Sequence, residues 1–387
     1  MKTNILQNNQ KGSAPAETNS TETRCQSGNH CIRKRKVASH SLRRPLAIVL
    51  LVMVQLSFFA ACTHFETKTE TLTLMSYNVE ALFDPVDNGN EYREYSVARG
   101  TWDDARYKIR LANITAAILA ECPQKPDILF VQEIENDRVL KDLSESLGGY
   151  AYAIAAPRNG GAITVGIMSK YPITTVKTHQ YQTSATIKPS VRLLLEAQLD
   201  IRGIPLVVLN AHWKSKKEGA EITEPERRLA AELVKRIINE RKKENPNIGI
   251  ILAGDLNCNP DEYERIGGAY CTALMPQGAG MEHCLEVTGL ADAVNDNPLV
   301  LYSPWFSAGG FSYWFNSSSE RIDNFLLTRD FFAEGSLIAY SGFTAEPPLF
   351  LLNESGIPLG WYNETREGYS DHLPIVLTLQ MRPGARR

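Results

Sequence analysis

The chain has 387 residues, 43% of them hydrophobic and 22% charged, with a formal net charge of −3. This is the composition of a globular protein with ample apolar surface for a large core, not of a disordered one. Its seven cysteines contain no C-x-x-C pair, which argues against a zinc ribbon.

Residues 1–61 stand apart from the rest. The first 45 are polar, rich in Asn, Ser, Thr, Lys and Arg, and lack periodicity. Arg33-Lys34-Arg35-Lys36 and Arg43-Arg44 then precede an apolar run from Leu46 to Ala61, closed by Ala60-Ala61-Cys62. A basic stretch, a short apolar run and small residues before a cysteine predict a signal segment of the bacterial lipoprotein type, with Cys62 carrying the lipid. The competing reading is an uncleaved anchor, but the run is shorter than the ~20 residues a spanning helix needs. Either way the chain is expected outside the cytoplasm, as a cell-envelope lipoprotein or otherwise secreted. A linker over 62–71 would lead into one large domain over 72–382. Residues 1–61 hold nine Lys/Arg and two Asp/Glu, so their removal leaves 32 basic and 42 acidic residues, a net charge of −10. Such an acidic surface does not attract polyanions without a local basic patch.

Beyond the leader, Thr71–Val79 alternates as a strand does. Asp103-Asp104 can cap a helix over Ala105–Glu121, and Asp127–Gln132 is a continuous apolar strand. A short helix over Asp137–Leu147 precedes strands at Tyr150–Ala155, Ala162–Ser169, Val191–Ile201 and Ile204–His212. Glu224–Glu244 has the spacing of a long amphipathic helix, and Ile248–Ala253 that of a buried strand. Asn259–Gly310 is irregular. Phe311–Phe315, Arg321–Thr328, Ser336–Tyr340 and Pro374–Gln380 complete the strands. Strands outnumber helices, hairpins mix with crossovers, and several strands are apolar on both faces, which suits two packed sheets covered by helices.

Short polar motifs end these apolar runs: Ser76-Tyr77-Asn78-Val79-Glu80, Val131-Gln132-Glu133, Asn210-Ala211-His212-Trp213, Gly254-Asp255-Leu256-Asn257, Arg321-Ile322-Asp323 and Ser370-Asp371-His372. Residues i and i+2 of a strand share a side. Asn78 and Glu80, Asp255 and Asn257, and Arg321 and Asp323 are therefore expected to project in pairs. A single such pair is common at any turn; three pairs with a Ser-Asp-His point to one gathered site. Oxygen donors suit a hard cation such as Mg²⁺, an Asp–His pair suits general-base work, and together they suit metal-assisted cleavage of a phosphate ester.

In this order and spacing the motifs resemble the endonuclease/exonuclease/phosphatase superfamily, the group of deoxyribonuclease I and exonuclease III, from about Leu72 to Leu379. The resemblance implies an α/β fold, a four-layer α/β sandwich of two packed mixed β-sheets flanked by helices. It implies Glu133 as the main Mg²⁺ ligand, with Asn78 assisting and Asp371 and Glu80 as further ligands, and with Mn²⁺ as a substitute ion. It implies His372 as the general base oriented by Asp323, Asp255 and Asn257 as groups that orient nucleophile or phosphate, and His212 as a hydrogen-bond donor to a phosphate oxygen. The segment His212-Trp213-Lys214-Ser215-Lys216-Lys217, followed by Glu224, Arg227 and Arg228, resembles secreted bacterial nuclease-like members. Its lysines either track a phosphate backbone or form a solvated turn, and Arg227 or Arg228 is a candidate buried partner for a site carboxylate.

Two loops are candidates for shaping substrate access. Trp305 and Phe306 are the surface candidates of Tyr302–Phe315, whereas the Phe311–Phe315 aromatics read as core, and Leu349–Trp361 is the second loop. Cys271 and Cys284 either close a loop as a disulfide or remain small buried or free residues. The expected activity is that of an exported, monomeric Mg²⁺-dependent phosphodiesterase, an endonuclease acting on nucleic acid and held at the membrane through Cys62. The alternative keeps the same core for a phosphatase or phospholipase C-type hydrolase acting on lipid headgroup or inositol phosphate esters. A binding protein without catalysis would not retain all of Asn78, Glu133, Asp255, Asn257, Asp323 and His372.

Overall fold

In the computed structural model, which describes residues 69–181 and 190–382, the parity of the strand residues sets the architecture. The strands are β1 (Glu70–Leu82), β2 (Ile128–Ile134), β3 (Tyr152–Ala155), β4 (Thr164–Ser169), β5 (Ile173–His179), β6 (Leu194–Ile201), β7 (Ile204–His212), β8 (Gly249–Asp255), β9 (Leu274–Pro276), β10 (Leu285–Thr288), β11 (Val300–Tyr302), β12 (Tyr313–Phe315), β13 (Ser318–Glu320), β14 (Asp323–Leu327), β15 (Ile338–Thr344) and β16 (Ile375–Met381). One sheet has six strands in the order β15-β16-β1-β2-β4-β3. A second has eight in the order β5-β6-β7-β8-β14-β11-β10-β9, and β12 and β13 form a separate hairpin. Both large sheets mix parallel and antiparallel pairs.

Alternate residues of each strand point to opposite faces. Leu72 and Leu74 of β1 and Ile128 and Phe130 of β2 pack against Leu206 and Val208 of β7, Ile251 and Ala253 of β8 and Phe325 and Leu327 of β14, forming the core between the sheets. The other parity of β1 and β2, including Met75, Tyr77, Leu129 and Val131, packs under helices α1 (Asp104–Glu121) and α2 (Asp137–Ser146). Val207, Leu209, Ile250 and Leu252 pack under helix α3 (Ala220–Glu244). The result is the four-layer sandwich that the motifs imply. Among the described residues no helix is long and apolar enough to cross a membrane.

Several expectations shift for physical reasons. The first strand begins at Glu70, one residue before the expected start, and runs past Val79 to Leu82, and the leader lies outside the described residues. Helix α3 begins at Ala220 instead of Glu224, with Pro225 inside it. The early turn holds because Thr223 Oγ1 donates to Gly219 O and the Arg227 guanidinium donates to Ala220 O. Strand β5 has no counterpart in the sequence reading. Five of its seven residues are exposed, so it lacks the buried face that alternation reports. The irregular stretch after Asn259 contains the short strands β9–β11 and the helices Glu262–Arg265 and Ala291–Asp296. Cys271 and Cys284 are free thiols, and Cys284 Sγ sits 3.1 Å from Met281 O.

Gly254 of β8 pairs with Ala211 of β7. Its φ is +123°, and a Cβ there would meet the Ala211 carbonyl oxygen at 2.0 Å. Gly254→Ala is expected to destabilise the fold by about 2–4 kcal/mol. A urea midpoint unchanged from the native protein would show that the strand ends are not this tightly apposed.

Candidate active site

The inward-facing parity that makes the core continues to the strand ends, where it turns polar. One step beyond the apolar layer, Gln132 Nε2 donates to Asn210 Oδ1 at 2.7 Å and to Ser76 Oγ at 3.3 Å. The Asn210 amide in turn donates to Val131 O and Gly166 O. These hydrogen bonds tie the two sheets together, although among the described residues Gln132 Oε1 finds no partner. One step further, the same faces of β1, β7, β8 and β14 present Asn78, His212, Asp255 and Asp323. Antiparallel pairing sets Asp323 opposite Asp255, and parallel pairing sets His212 beside Asp255.

Glu133 breaks the parity. On a regular strand it would point outward with Leu129 and Val131. A bulge between Gln132 and Ile134, with Glu133 at φ 64°, turns its carboxylate into the site. A side chain held at positive φ away from glycine is strained, and such strain collects where function needs it.

Asn78 is the meeting point. Its Nδ2 lies 3.3 Å from Glu133 Oε1, 3.1 Å from Asp255 Oδ2 and 3.4 Å from His372 Nε2. His212 Nε2 lies 3.5 Å from Glu133 Oε1 and 3.4 Å from Asp255 Oδ2. His372 Nδ1 and Asp323 Oδ2 are 2.8 Å apart, leaving His372 Nε2 facing Asp255 at 3.9 Å. Asn257 N donates to Asp255 Oδ1 at 2.8 Å. Asp371 and Glu80 stand at the rim, with Glu80 Oε2 accepting from Trp361 N at 2.8 Å and Asp371 N at 3.0 Å.

Burial by itself disfavours a charged His372, but the Asp323 carboxylate, aided by Asp371 and Asp255, holds its pKa well above the usual 6.5. Burial, with the charges of Arg192 and His372, keeps His212 well below that value and hence neutral. Burial lifts Asp255 to about 7, with His372 pulling it down and Asp323 pushing it up. Burial and then Asp371 raise Glu133. Two histidines that face the same Asp255 oxygen are thus driven to opposite protonation states, the pattern that separates a base from a neutral donor.

The site opens into a cleft of about 570 Å³ lined by Tyr92, Arg192, Lys217, Tyr313 and Phe315 among others. None of these but Lys217 was singled out by the sequence as a surface contact. Tyr313 stacks on the His372 ring at 4.5 Å between centroids, and Phe315, exposed, continues outward at 6.3 Å from Tyr313. Tyr313 and Phe315 are therefore cleft wall where core was expected, whereas Phe311 does pack against the core under α1 and α2. Trp305 is the reverse: it is 1% exposed, with Nε1 donating to Asp323 O, while Phe306 remains exposed. Alternation in Ser-Tyr-Trp-Phe gave no means to tell a hairpin at a cleft from a buried strand.

Other expectations resolve into structural roles. Lys216 Nζ is held by the Glu262 carboxylate at 2.6 Å, and Lys214 Nζ by Glu218 at 2.7 Å. Arg227 is buried against Glu224, not against a site carboxylate, and Arg228 donates to Glu282 O. The Arg321 guanidinium lies over Trp305 at 5.3 Å instead of sharing the direction of Asp323. Among the described residues no group of three or more His, Cys, Asp or Glu side chains is arranged to grip a metal ion.

The fold is that of a family of phosphoric ester hydrolases. The model of the endonuclease/exonuclease/phosphatase family matches residues 73–269, half of the chain, and the protein belongs to that family. No curated protein sequence matches it significantly. Among solved structures it resembles an endonuclease/exonuclease/phosphatase family protein from Bacteroides thetaiotaomicron, at 17% identity and a TM-score of 0.50, covering 82% of this chain and 100% of that one. A truncated TDP2 from Caenorhabditis elegans is 18% identical, with a TM-score of 0.48 over 80% of this chain and 97% of that one. A mannosyl-6-phosphatase from Bacteroides thetaiotaomicron is 18% identical, with a TM-score of 0.48 over 80% and 99%. At these identities the likeness is one of fold.

The cleft wall gives a contrast to measure. Phe315→Ala is expected to leave stability unchanged and raise KM severalfold, roughly the effect of one lost stacking contact. Trp305→Ala is expected to cost about 3–5 kcal/mol of stability. Equal thermal shifts in the two variants would contradict the assignment of wall and core.

Proposed function

We propose that this family member is an exported, Mg²⁺-dependent phosphodiesterase whose substrate is nucleic acid. The observation that carries the reading is the His372–Asp323 pair set across Asn78 from Glu133, with neutral His212 between Glu133 and Asp255.

The residues fit a divalent cation of the hard kind. Burial, and then the charge of Asp371, oppose the ionisation of Glu133, a cost that a cation would relieve. Mg²⁺ keeps several waters and is commonly held by one or two carboxylates, so the lack of a closed cage suits it. Glu133, Asn78 and Asp371 would hold it. Bound there, the ion would polarise a phosphate oxygen and offset the charge that develops on it.

The chain's own groups supply the rest. Asp323 fixes the ring of His372 through Nδ1, leaving Nε2 to take a proton from water directed at phosphorus in line with the leaving oxygen. Neutral His212 donates a hydrogen bond to a phosphate oxygen as negative charge accumulates. Asp255, raised by burial, can hold the proton that the departing oxygen needs, while Asn257 N fixes its other oxygen. Arg192, Lys217, Tyr313 and Phe315 support a nucleic-acid substrate, because cations beside exposed rings suit a phosphate backbone and its bases. The net charge of −10 beyond residue 61 favours the second reading, a lipid headgroup or small phosphate ester. The basic stretch, apolar run and Ala60-Ala61-Cys62 support export and attachment through a lipid on Cys62.

The protein is expected to nick supercoiled plasmid with Mg²⁺ and not with EDTA. His372→Ala should lower the rate by about 10²–10⁴-fold. Near-native nicking by that variant would refute the base assignment. A folded protein with Mg²⁺ that leaves plasmid intact would turn the substrate to a lipid or small ester. The pH profile gives an independent check. The base must be neutral to act, and Asp323 raises its pKa, so activity should fall as pH drops through a midpoint above 6.5. Asp323→Asn should move that midpoint lower while reducing kcat. An identical midpoint in both proteins would detach Asp323 from the titrating group.

A further inference from the structure

Arg110 is fully buried on α1, and its guanidinium meets the bulge of β1. Its NH2 donates to Val79 O at 2.5 Å and Glu80 O at 2.8 Å, the carbonyls that the bulge frees from the ladder, and lies 3.7 Å from Glu80 Oε2. Glu80 and Ala81 both sit at positive φ, 50° and 58°, where the register of β1 against β2 shifts. Trp361 lies against the guanidinium at 5.2 Å, and its backbone N–H donates to Glu80 Oε2. The same oxygen accepts from Asp371 N. The loop closes on the carboxylate at Gly360, where a Cβ would stand 3.3 Å from both Glu80 oxygens and 3.5 Å from Asp371 Cβ.

We propose that Glu80 and Arg110 form a latch that positions Asp371 and the loop before it, and that Glu80 is not itself a ligand of the cation. Its Oε2 is spent on two backbone N–H groups and an arginine, so it acts through the backbone of Asp371. The inference rests on the reading in which Glu133, Asn78 and Asp371 hold the ion. A buried charge removed alone leaves its partner uncompensated, whereas removing both spares that loss. A glutamine at 80 can still accept from Trp361 N and Asp371 N; an alanine cannot.

The test compares the native protein with Glu80→Ala, Glu80→Gln, Arg110→Met and the Glu80→Gln/Arg110→Met double variant, reading Mg²⁺ binding by calorimetry and unfolding by thermal melts without metal. Each single variant should lower Tm, and the double should recover most of the loss. The double variant should bind Mg²⁺ within about threefold of the native protein, whereas Glu80→Ala should bind about tenfold or more weakly. A double variant as weak in Mg²⁺ binding as Glu80→Ala would make Glu80 a direct ligand and overturn the proposal. Native protein that binds neither Mg²⁺ nor Mn²⁺ would defeat the cation reading instead. The latch would then stand or fall on Tm alone, and additive Tm losses would refute it.

Discussion

Asp323 is sealed between the two sheets, and the charge that compensates it is the ring of His372, 2.8 Å away. Among the described residues its second oxygen, Oδ1, has no hydrogen-bond partner. An ionised carboxylate at such a place is expensive unless a countercharge is held against it. Much of the surrounding structure holds that countercharge in place. Ser312 Oγ accepts from Asp323 N, Leu373 N donates to Ser312 O, and Tyr313 caps the imidazole face. The hairpin that reaches the cleft with Phe315 is thus the same element that clamps the His372 ring.

The larger constraint is that two sheets pack through one set of strand residues. Along most of their length that set is apolar and closes a dry core. Near one end it passes through Ser76, Gln132 and Asn210, which hydrogen-bond to one another, and then into the charged and imidazole side chains of the site. Asn78 faces Glu133, Asp255 and His372, while the charge of Asp371 bears on Glu133 and that of Asp323 on Asp255. Such an end is costly without something positive in it. Reaction chemistry at the strand ends and a core between the sheets are two stretches of the same alternation, which is why the motifs lie so far apart in sequence.

That alternation made much of the fold and site legible. Asn78, His212, Asp255 and Asp323 fall on the inward parity of strands whose apolar residues are plain in the sequence. Glu133 was found by its motif although parity alone would have turned it outward; the bulge that redirects it has no glycine to announce it. The i, i+2 pairing failed at Arg321, whose guanidinium lies over Trp305, and was bent at Glu80 by positive φ. Tyr92, Arg192, Tyr313 and Phe315 lie on loops or a three-residue strand, where no period distinguishes a cleft wall from a core. Strand β5 was missed because both its faces meet solvent.

The account rests on His372 acting as a base held by Asp323, and chemical rescue tests this most directly. His372→Gly should empty the space beside Asp323 and Tyr313, and added imidazole should restore hydrolysis of the native enzyme's substrate in a saturable way, with a pH dependence that follows the added base. Saturable rescue would place proton transfer at this position. A folded variant that imidazoles of different basicity all fail to restore, or one that keeps native activity without them, would contradict the account.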